Sequence, residues 1–246
     1  MKTFYLTDAG KIRTHNEDSV IILHNDNNEY IMAVADGMGG HKAGEVASSI
    51  ATEHIKKSFN KLKTMGSKEE AIEWIRSIVT EINNKIFDYT KKHDESKGMG
   101  TTLVLAIRTN DYILFGNIGD SSGFVIKNDK MVKVTKDHTL VNLLVSTGEL
   151  TEEEAKYHPR KNVLMRALGA NNPIEADIFD VDTSVKGIFL CSDGLTNMIT
   201  NEQIEKVLNG KLDIEEKVVR LIRKSNSRGG TDNISIAYMQ TESGDF

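Results

Sequence analysis

At 246 residues, with 39% hydrophobic and 27% charged side chains, the chain has the make-up of a folded globular protein able to bury a substantial core. A formal net charge of −5, with Lys and Arg scattered along the sequence, argues against nucleic acid as the main partner. A single cysteine excludes an intrachain disulfide, residues 1–10 hold no apolar core of signal-peptide length, and no apolar run reaches about 18 residues; the expectation is a cytoplasmic protein without a membrane span.

In chain order, residues 4–7 read as a short strand, and TDAGKIRTHNED follows as a polar connection carrying Arg13, Asn16, Glu17 and Asp18. An apolar strand at 20–23, the polar turn HNDNNE and a second apolar run at 31–35 come next. Strands joined so shortly are expected to pair antiparallel. The second run ends in Asp36, and a carboxylate at the mouth of an apolar strand needs a partner because desolvating an unpaired charge is expensive. Gly37, Gly39 and Gly40 allow a tight turn that brings backbone carbonyls close to a ligand, after which Val46, Ile50 and His54 begin a helical period reaching about residue 59. A glycine turn after a strand is often only a turn. Two phosphate loops are excluded by register: the dinucleotide fingerprint requires glycine where Lys42 stands, and Gly44 is followed by Glu45 instead of Lys. What remains is an acidic place for a cation.

Ser67 with Glu70 forms a capping-box pattern ahead of Ile72, Ile75, Val79, Ile82 and Ile86, which predicts a second long amphipathic helix with Trp74 packed in the core. Residues 103–107 and 112–115, then 124–126 and 131–134, flank short polar turns and read as hairpins. They leave no room for crossover helices, which argues against a doubly wound parallel sheet. Between the hairpins GNIGDSS places Asp120 beside glycine just past an apolar strand. The segment 138–172 is more irregular: a short helix at 140–145 stops at Gly148, another capped by Thr151 and Glu154 ends before Pro159, and Arg160, Lys161 and Arg166 form a basic cluster. It reads as a surface insertion near the site. A third apolar strand, 188–190, runs into CSDGL with Asp193; helices at 201–208 and 214–225 follow, and GGTDN sets Asp232 before the alternating strand of Ile234, Ile236 and Tyr238. The polar tail from 241 is expected to fray.

Asp36, Asp120, Asp193 and Asp232 repeat one grammar, an acid beside glycine at the end of an apolar strand, far apart in sequence. Such repetition suggests strand ends converging on one cluster. Packed carboxylates raise each other's pKa, so the cluster calls for cations. Oxygen donors without a His or Cys grouping favour Mg²⁺ or Mn²⁺ over zinc, and two such ions roughly 4 Å apart share a hydroxide and clamp a phosphoryl oxygen in two-metal hydrolysis. Arg13 suits a bidentate anchor for a phosphate dianion.

TDAGKIRTHNED, ADGMGGHKAGE, MGTT, GDS, CSDGL and GGTDN occur in order across nearly the whole chain. Together they closely resemble the bacterial branch of the metal-dependent type 2C (PPM) Ser/Thr protein phosphatases. The resemblance implies an α+β fold, a four-layer αββα sandwich of two antiparallel sheets flanked by helix pairs, as a single phosphatase domain over 1–240 with 138–172 as a flap. It implies that Asp36 bridges two metals with the Gly37 carbonyl on one of them, that Asp193 and Asp232 bind the other, and that Asp120 with Asp193 matches a weaker third site. Arg13 matches the phosphate-binding arginine, and Glu17 and Asp18 match acids that orient metal-bound water. The implied partners are phosphorylated proteins, including a partner Ser/Thr kinase and its substrates.

Two positions depart from the family pattern. Met38 stands where eukaryotic relatives have a histidine proposed as general acid, with His41 nearby, and Ser122 stands where an arginine is common. Two other phosphatase chemistries fit poorly: Cys191 lacks an arginine in the next six positions and reads as a core thiol, and Asp180-Val-Asp182 lacks the apolar strand of the phosphoaspartyl enzymes. A catalytically silent phosphoprotein-binding relative is the alternative, and the complete acidic set weighs against it.

Overall fold

The structure, a computed structural model, describes residues 1–40 and 43–241. Eleven strands and seven α-helices are found there. One sheet runs in the order β1 (Lys2–Asp8), β11 (Ile234–Gln240), β10 (Gly187–Cys191), β7 (Ser122–Lys127), β8 (Lys130–Lys133). The other runs β2 (Asp18–His24), β3 (Tyr30–Met38), β5 (Leu103–Arg108), β6 (Ile113–Ile118), β9 (Asp177–Val181), with the two-residue β4 (Gly100–Thr101) paired to the end of β3. Every pairing is antiparallel.

The two-residue period of each central strand explains the layers, since successive side chains leave opposite faces. In β3, Ile31, Ala33 and Ala35 enter the core shared with α1 (Ala43–Phe59) and α2 (Lys68–Thr90), while Met32 and Val34 enter the core between the sheets. In β10, Ile188 and Leu190 face the other sheet, whereas Phe189 and Cys191 face α5 (Asp193–Thr196), α6 (Asn201–Leu208) and α7 (Ile214–Ser227). Both faces of the central strands are therefore buried, which gives three cores between four layers. The capping box at Ser67 and Glu70 is present at the start of α2, and Trp74 packs on the outer core with its Nε1 donating to Ser58 Oγ at 3.2 Å. Cys191 is fully buried, and burial pushes its thiol pKa up, which leaves it an inert core group.

Two details differ from the sequence reading. The strand carrying Asp36 does not end there: it continues through Gly37 to Met38 because Gly37 and Met38 find new partners in Thr101 and Gly100. The turn falls at Gly39, whose φ of +148° lies in glycine's territory. In the basic cluster, Arg166 is partly exposed but paired, its guanidinium bonding Asp177 Oδ1 at 2.7 Å. The segment 138–172 holds α3 (Leu140–Ser146) and α4 (Glu152–Tyr157); one β-bridge, Thr139 to Leu164, ties its two limbs together, and another, Thr101 to Leu168, joins its returning limb to β4. His41 and the tail from residue 242 lie outside the described residues.

Gly37 is required by close approach. A Cβ there would run into the carbonyl oxygens of Gly44 and Glu17, where β3, α1 and the β1–β2 connection meet. Gly37→Ala is expected to lower stability by about 1–3 kcal/mol, the usual penalty of overpacking, read from urea unfolding of the metal-free protein.

Candidate active site

The acids gather at one end of the sandwich, where the β1–β2 connection, β3, the β6–β7 turn, the start of α5 and the start of β11 meet. Asp18 and Asp36 are direct partners in the β2–β3 register, so the pairing of two strands places two carboxylates together. Backbone contacts hold Asp36: its N–H donates to Thr102 Oγ1 at 3.0 Å, and its carbonyl accepts from Thr102 N and Thr101 Oγ1, both at 2.9 Å. Asp193 opens α5, where its side chain accepts from Asn197 Nδ2 at 3.0 Å. Asp232 Oδ2 accepts from Arg13 at 3.0 Å across a half-exposed ion pair.

Asn233 is the brace of this corner. Its Nδ2 donates to the carbonyls of Ala9 and His15, at 3.0 and 2.9 Å, and its Oδ1 accepts from the Glu17 N–H at 2.8 Å. One amide thus folds the loop bearing Arg13 and Glu17 against the residue next to Asp232. Ser192 does the same for Asp18, donating to its Oδ2 at 2.8 Å. Neither residue was singled out from sequence, although both stand inside quoted blocks, GGTDN and CSDGL. A small polar side chain flanking an acid in such a block was the available signal.

The electrostatics match the crowding. Burial first, and then the charges of Asp18, Asp193, Asp120 and Asp232, raise the Asp36 pKa well above the carboxylate range. Burial also lifts Asp18 to about 7, opposed by hydrogen bonds from Ser235 and Ser192 and reinforced by Asp193 and Asp232. Asp120 is likewise lifted to about 7, by burial and then by Asp193 and Asp137. Asp193 is raised by burial and by Asp232, with relief from a side-chain hydrogen bond to Asp36. Glu17 is raised by burial, against the pull of Arg13. All the sequence-predicted acids therefore share one electrostatic neighbourhood, and among the described residues no lysine forms an ion pair with any of the five aspartates.

The donor set fits hard divalent cations. It offers only oxygen, and two buried carboxylate oxygens, Glu17 Oε1 and Asp18 Oδ1, have no hydrogen-bond partner. Among the described residues, no three His, Cys, Asp or Glu side chains converge in ligand geometry, although the Asp193 and Asp36 carboxyl groups are within hydrogen-bond reach of each other. On one side the acids open into a groove of about 1020 Å³, walled by Asp120 and Asp193 on the sandwich and by Val141, Leu143, Met165 and Arg166 of the 138–172 segment.

This fold and this corner define a phosphatase class. The family described as protein phosphatase 2C matches residues 11–234. The chain is 40% identical to the serine/threonine phosphatase stp of Listeria monocytogenes, covering 98% of this chain and 96% of that one, and 36% identical to the protein phosphatase PhpP of Streptococcus pneumoniae, covering 97% of each. Among solved structures it superposes on the serine/threonine phosphatase Stp1 of Staphylococcus aureus with a TM-score of 0.92 at 33% identity, covering 98% and 95% of the two chains. The S. agalactiae serine/threonine phosphatase gives 0.91 at 34% identity, covering 98% and 99%. The chain belongs to the protein phosphatase 2C family, in its bacterial branch, and is a protein serine/threonine phosphatase.

The raised pKa values make the metal-free site a source of instability. Folded carboxylates with elevated pKa hold protons that the unfolded chain, titrating near 4, has released. Metal-free stability is therefore expected to fall as pH rises from about 4 through about 7. In EDTA, thermal unfolding should drop by about 5 °C or more between pH 5.5 and pH 8, and Mn²⁺ should restore more at pH 8 than at pH 5.5. A melting temperature in EDTA independent of pH would contradict the coupling.

Proposed function

We propose that this phosphatase hydrolyses phosphoserine and phosphothreonine in proteins by direct attack of water on phosphorus, with two Mn²⁺ or Mg²⁺ ions held by Asp36, the Gly37 carbonyl, Asp193 and Asp232, and a weaker third ion at Asp120 and Asp193. The observation that carries this reading is the cluster of coupled, buried carboxylates with two orphaned oxygens, beside an arginine. When bound, the ions supply a water of lowered pKa and polarise the phosphoryl oxygens. The protein's own groups do the rest. Arg13, half-exposed and paired to Asp232 through a single Nη2–Oδ2 contact, exchanges that carboxylate for the incoming phosphate, which offers it a bidentate contact and more charge. Asp18 has one oxygen committed to Ser192 and one without a partner, so it accepts a proton from attacking water and fixes its lone pair toward phosphorus. Glu17, anchored through its backbone by Asn233, orients the same water by accepting a hydrogen bond from it, and the one proton the water gives up is matched by one delivered to the departing Ser or Thr oxygen. No covalent phosphoenzyme is required.

We read residues 1–240 as one phosphatase domain, with 138–172 as the flap walling the groove into which the phosphoprotein chain runs. The expected substrates include a partner Ser/Thr kinase and its targets, and the expected setting is the cytoplasm. No helix among the described residues is long and apolar enough to cross a membrane.

Chelators are expected to abolish turnover of a phosphothreonine peptide, and Asp193→Ala or Asp232→Ala to reduce kcat by more than about a hundredfold, beyond what loss of outer-sphere metal partners does. Chelator-insensitive turnover would remove the mechanism. Arg13→Ala should instead act mainly on KM, raising it about ten- to a hundredfold, the worth of charge-assisted hydrogen bonds. Steady-state kinetics at saturating Mn²⁺ separates the two.

A further inference from the structure

His138 stands outside the acid cluster, yet both of its ring nitrogens are engaged beside it. The imidazole is almost enclosed, 9% exposed, at the root of the 138–172 segment. Its backbone N–H donates to the Gly119 carbonyl at 2.9 Å and its carbonyl accepts from Met165 N at 2.8 Å. The ring turns back on the same turn: the Gly119 N–H points at Nδ1, 3.1 Å away. A peptide N–H can only donate, so Nδ1 is an acceptor and the ring proton sits on Nε2. Nε2 then donates to Asp177 Oδ2 at 3.1 Å, while the other oxygen of that carboxylate accepts from Arg166 at 2.7 Å. Arg166 and Nε2 are 3.4 Å apart, two donors converging on one acceptor rather than a bond between them. Asp177 lies on β9, and Arg166 lies on the returning limb of the segment.

Gly119 is consequently gripped by one residue at both its N–H and its carbonyl, with Asn117 Nδ2 also donating to that carbonyl at 3.3 Å. It has no slack elsewhere, since φ is +100° and a Cβ would meet the Thr102 side chain at 2.6 Å. Thr102 Oγ1 in turn accepts from the Asp36 N–H. Gly119 is the residue immediately before Asp120, so whatever orients its peptide orients the start of the turn that presents that carboxylate. Burial disfavours the imidazolium, and Arg166 adds to that, so the ring is held neutral against the opposing pull of Asp177 and Asp137.

We infer that His138 is a positioning residue: its neutral Nε2–H tautomer locks the Gly119–Asp120 turn and, through Asp177 and Arg166, joins that turn to the 138–172 segment. The segment's seat and the aim of Asp120 are one mechanical unit. Loosening the imidazole loosens the cation site at Asp120 while leaving the ions at Asp36, Asp193 and Asp232 in place. This rests on the proposal that Asp120 helps to hold a divalent ion.

The two nitrogens can be tested apart. In His138→Asn the amide oxygen falls near the position of Nδ1 and still accepts from Gly119, but nothing reaches Asp177. In His138→Gln the longer amide reaches Asp177 and leaves Gly119 without its acceptor. Mn²⁺ binding to the full metal-free chain is followed by electron paramagnetic resonance, with Asp120→Asn as the control that defines the weak class of ions. The expected result is that His138→Gln weakens that class tenfold or more, in the range seen for outer-sphere partners of metal ligands. His138→Asn should weaken it threefold or less, and the tight class should be unchanged in both. If Asp120→Asn removes the weak class and His138→Gln leaves it intact, the positioning role is wrong and the Asp120 reading stands. If Asp120→Asn changes nothing, the Asp120 reading fails and this inference falls with it. Should a variant not fold, ¹⁵N NMR of the wild-type holoenzyme decides the arrangement. A non-protonated Nδ1 and a protonated Nε2 at pH 7 are expected, and an Nδ1–H or cationic ring overturns it.

Discussion

Like charges forced into one corner are the constraint on which this molecule depends. Asp18 and Asp36 face each other across a strand pair, with Asp193, Asp232 and Asp120 close enough to raise the Asp36 pKa in turn. No carboxylate cluster of this kind assembles for its own sake, since each member loses hydration and gains a repulsive neighbour. What assembles it is the packing of three apolar cores across four layers, which settles the positions of β2, β3, β10 and β11 regardless of what sits at their ends. The burial of Ile31, Val34, Leu190 and Ile236 is thus spent holding acids where solution chemistry would scatter them. Preorganised charge of this sort is the usual source of catalytic power.

The polar residues around the acids convert that strain into direction. A carboxylate with both oxygens satisfied by protein donors is a structural group, whereas one with a single oxygen committed has the other to give. Ser192 takes only Oδ2 of Asp18, and Oδ1 is left without a partner in a buried place. Asn233 takes the backbone of Glu17 and not its carboxylate, whose Oε1 is similarly left. Arg13 on Asp232 is of a different kind: a half-exposed ion pair is weakly held in water and exchangeable. The site therefore combines acids held through their neighbours with one half-exposed arginine, which suits a substrate that arrives carrying two negative charges.

Much of this was legible in the sequence because the informative features are local. Continuous apolar runs in 31–35, 103–107 and 188–190, the capping box at Ser67 and Glu70, and glycine within two residues of Asp36, Asp120, Asp193 and Asp232 can all be read within a window of ten residues. The pairing of β1 with β11, which brings Arg13 toward Asp232 across 219 positions, cannot. Nor can the extension of β3 past Asp36, since it depends on Thr101 and Gly100 arriving from the far side of α2. The assignment of individual roles came from the order of six motif blocks, not from composition or period. Residues that act through geometry alone, such as Asn233 and Ser192, are marked only by their place beside an acid inside a motif block, not by a chemistry that sets them apart from other short polar side chains.

The same distinction separates the two ways in which the 138–172 segment meets the site. Its apolar wall, Val141, Leu143 and Met165, borders the groove with side chains whose identity a substrate would feel only through area and shape. Its root, by contrast, is joined to Gly119 by directional hydrogen bonds whose partners tolerate no substitution by size alone. On the proposed reading of the groove, a change in the wall acts on which phosphoproteins fit, and a change in the root acts on how the acids are presented.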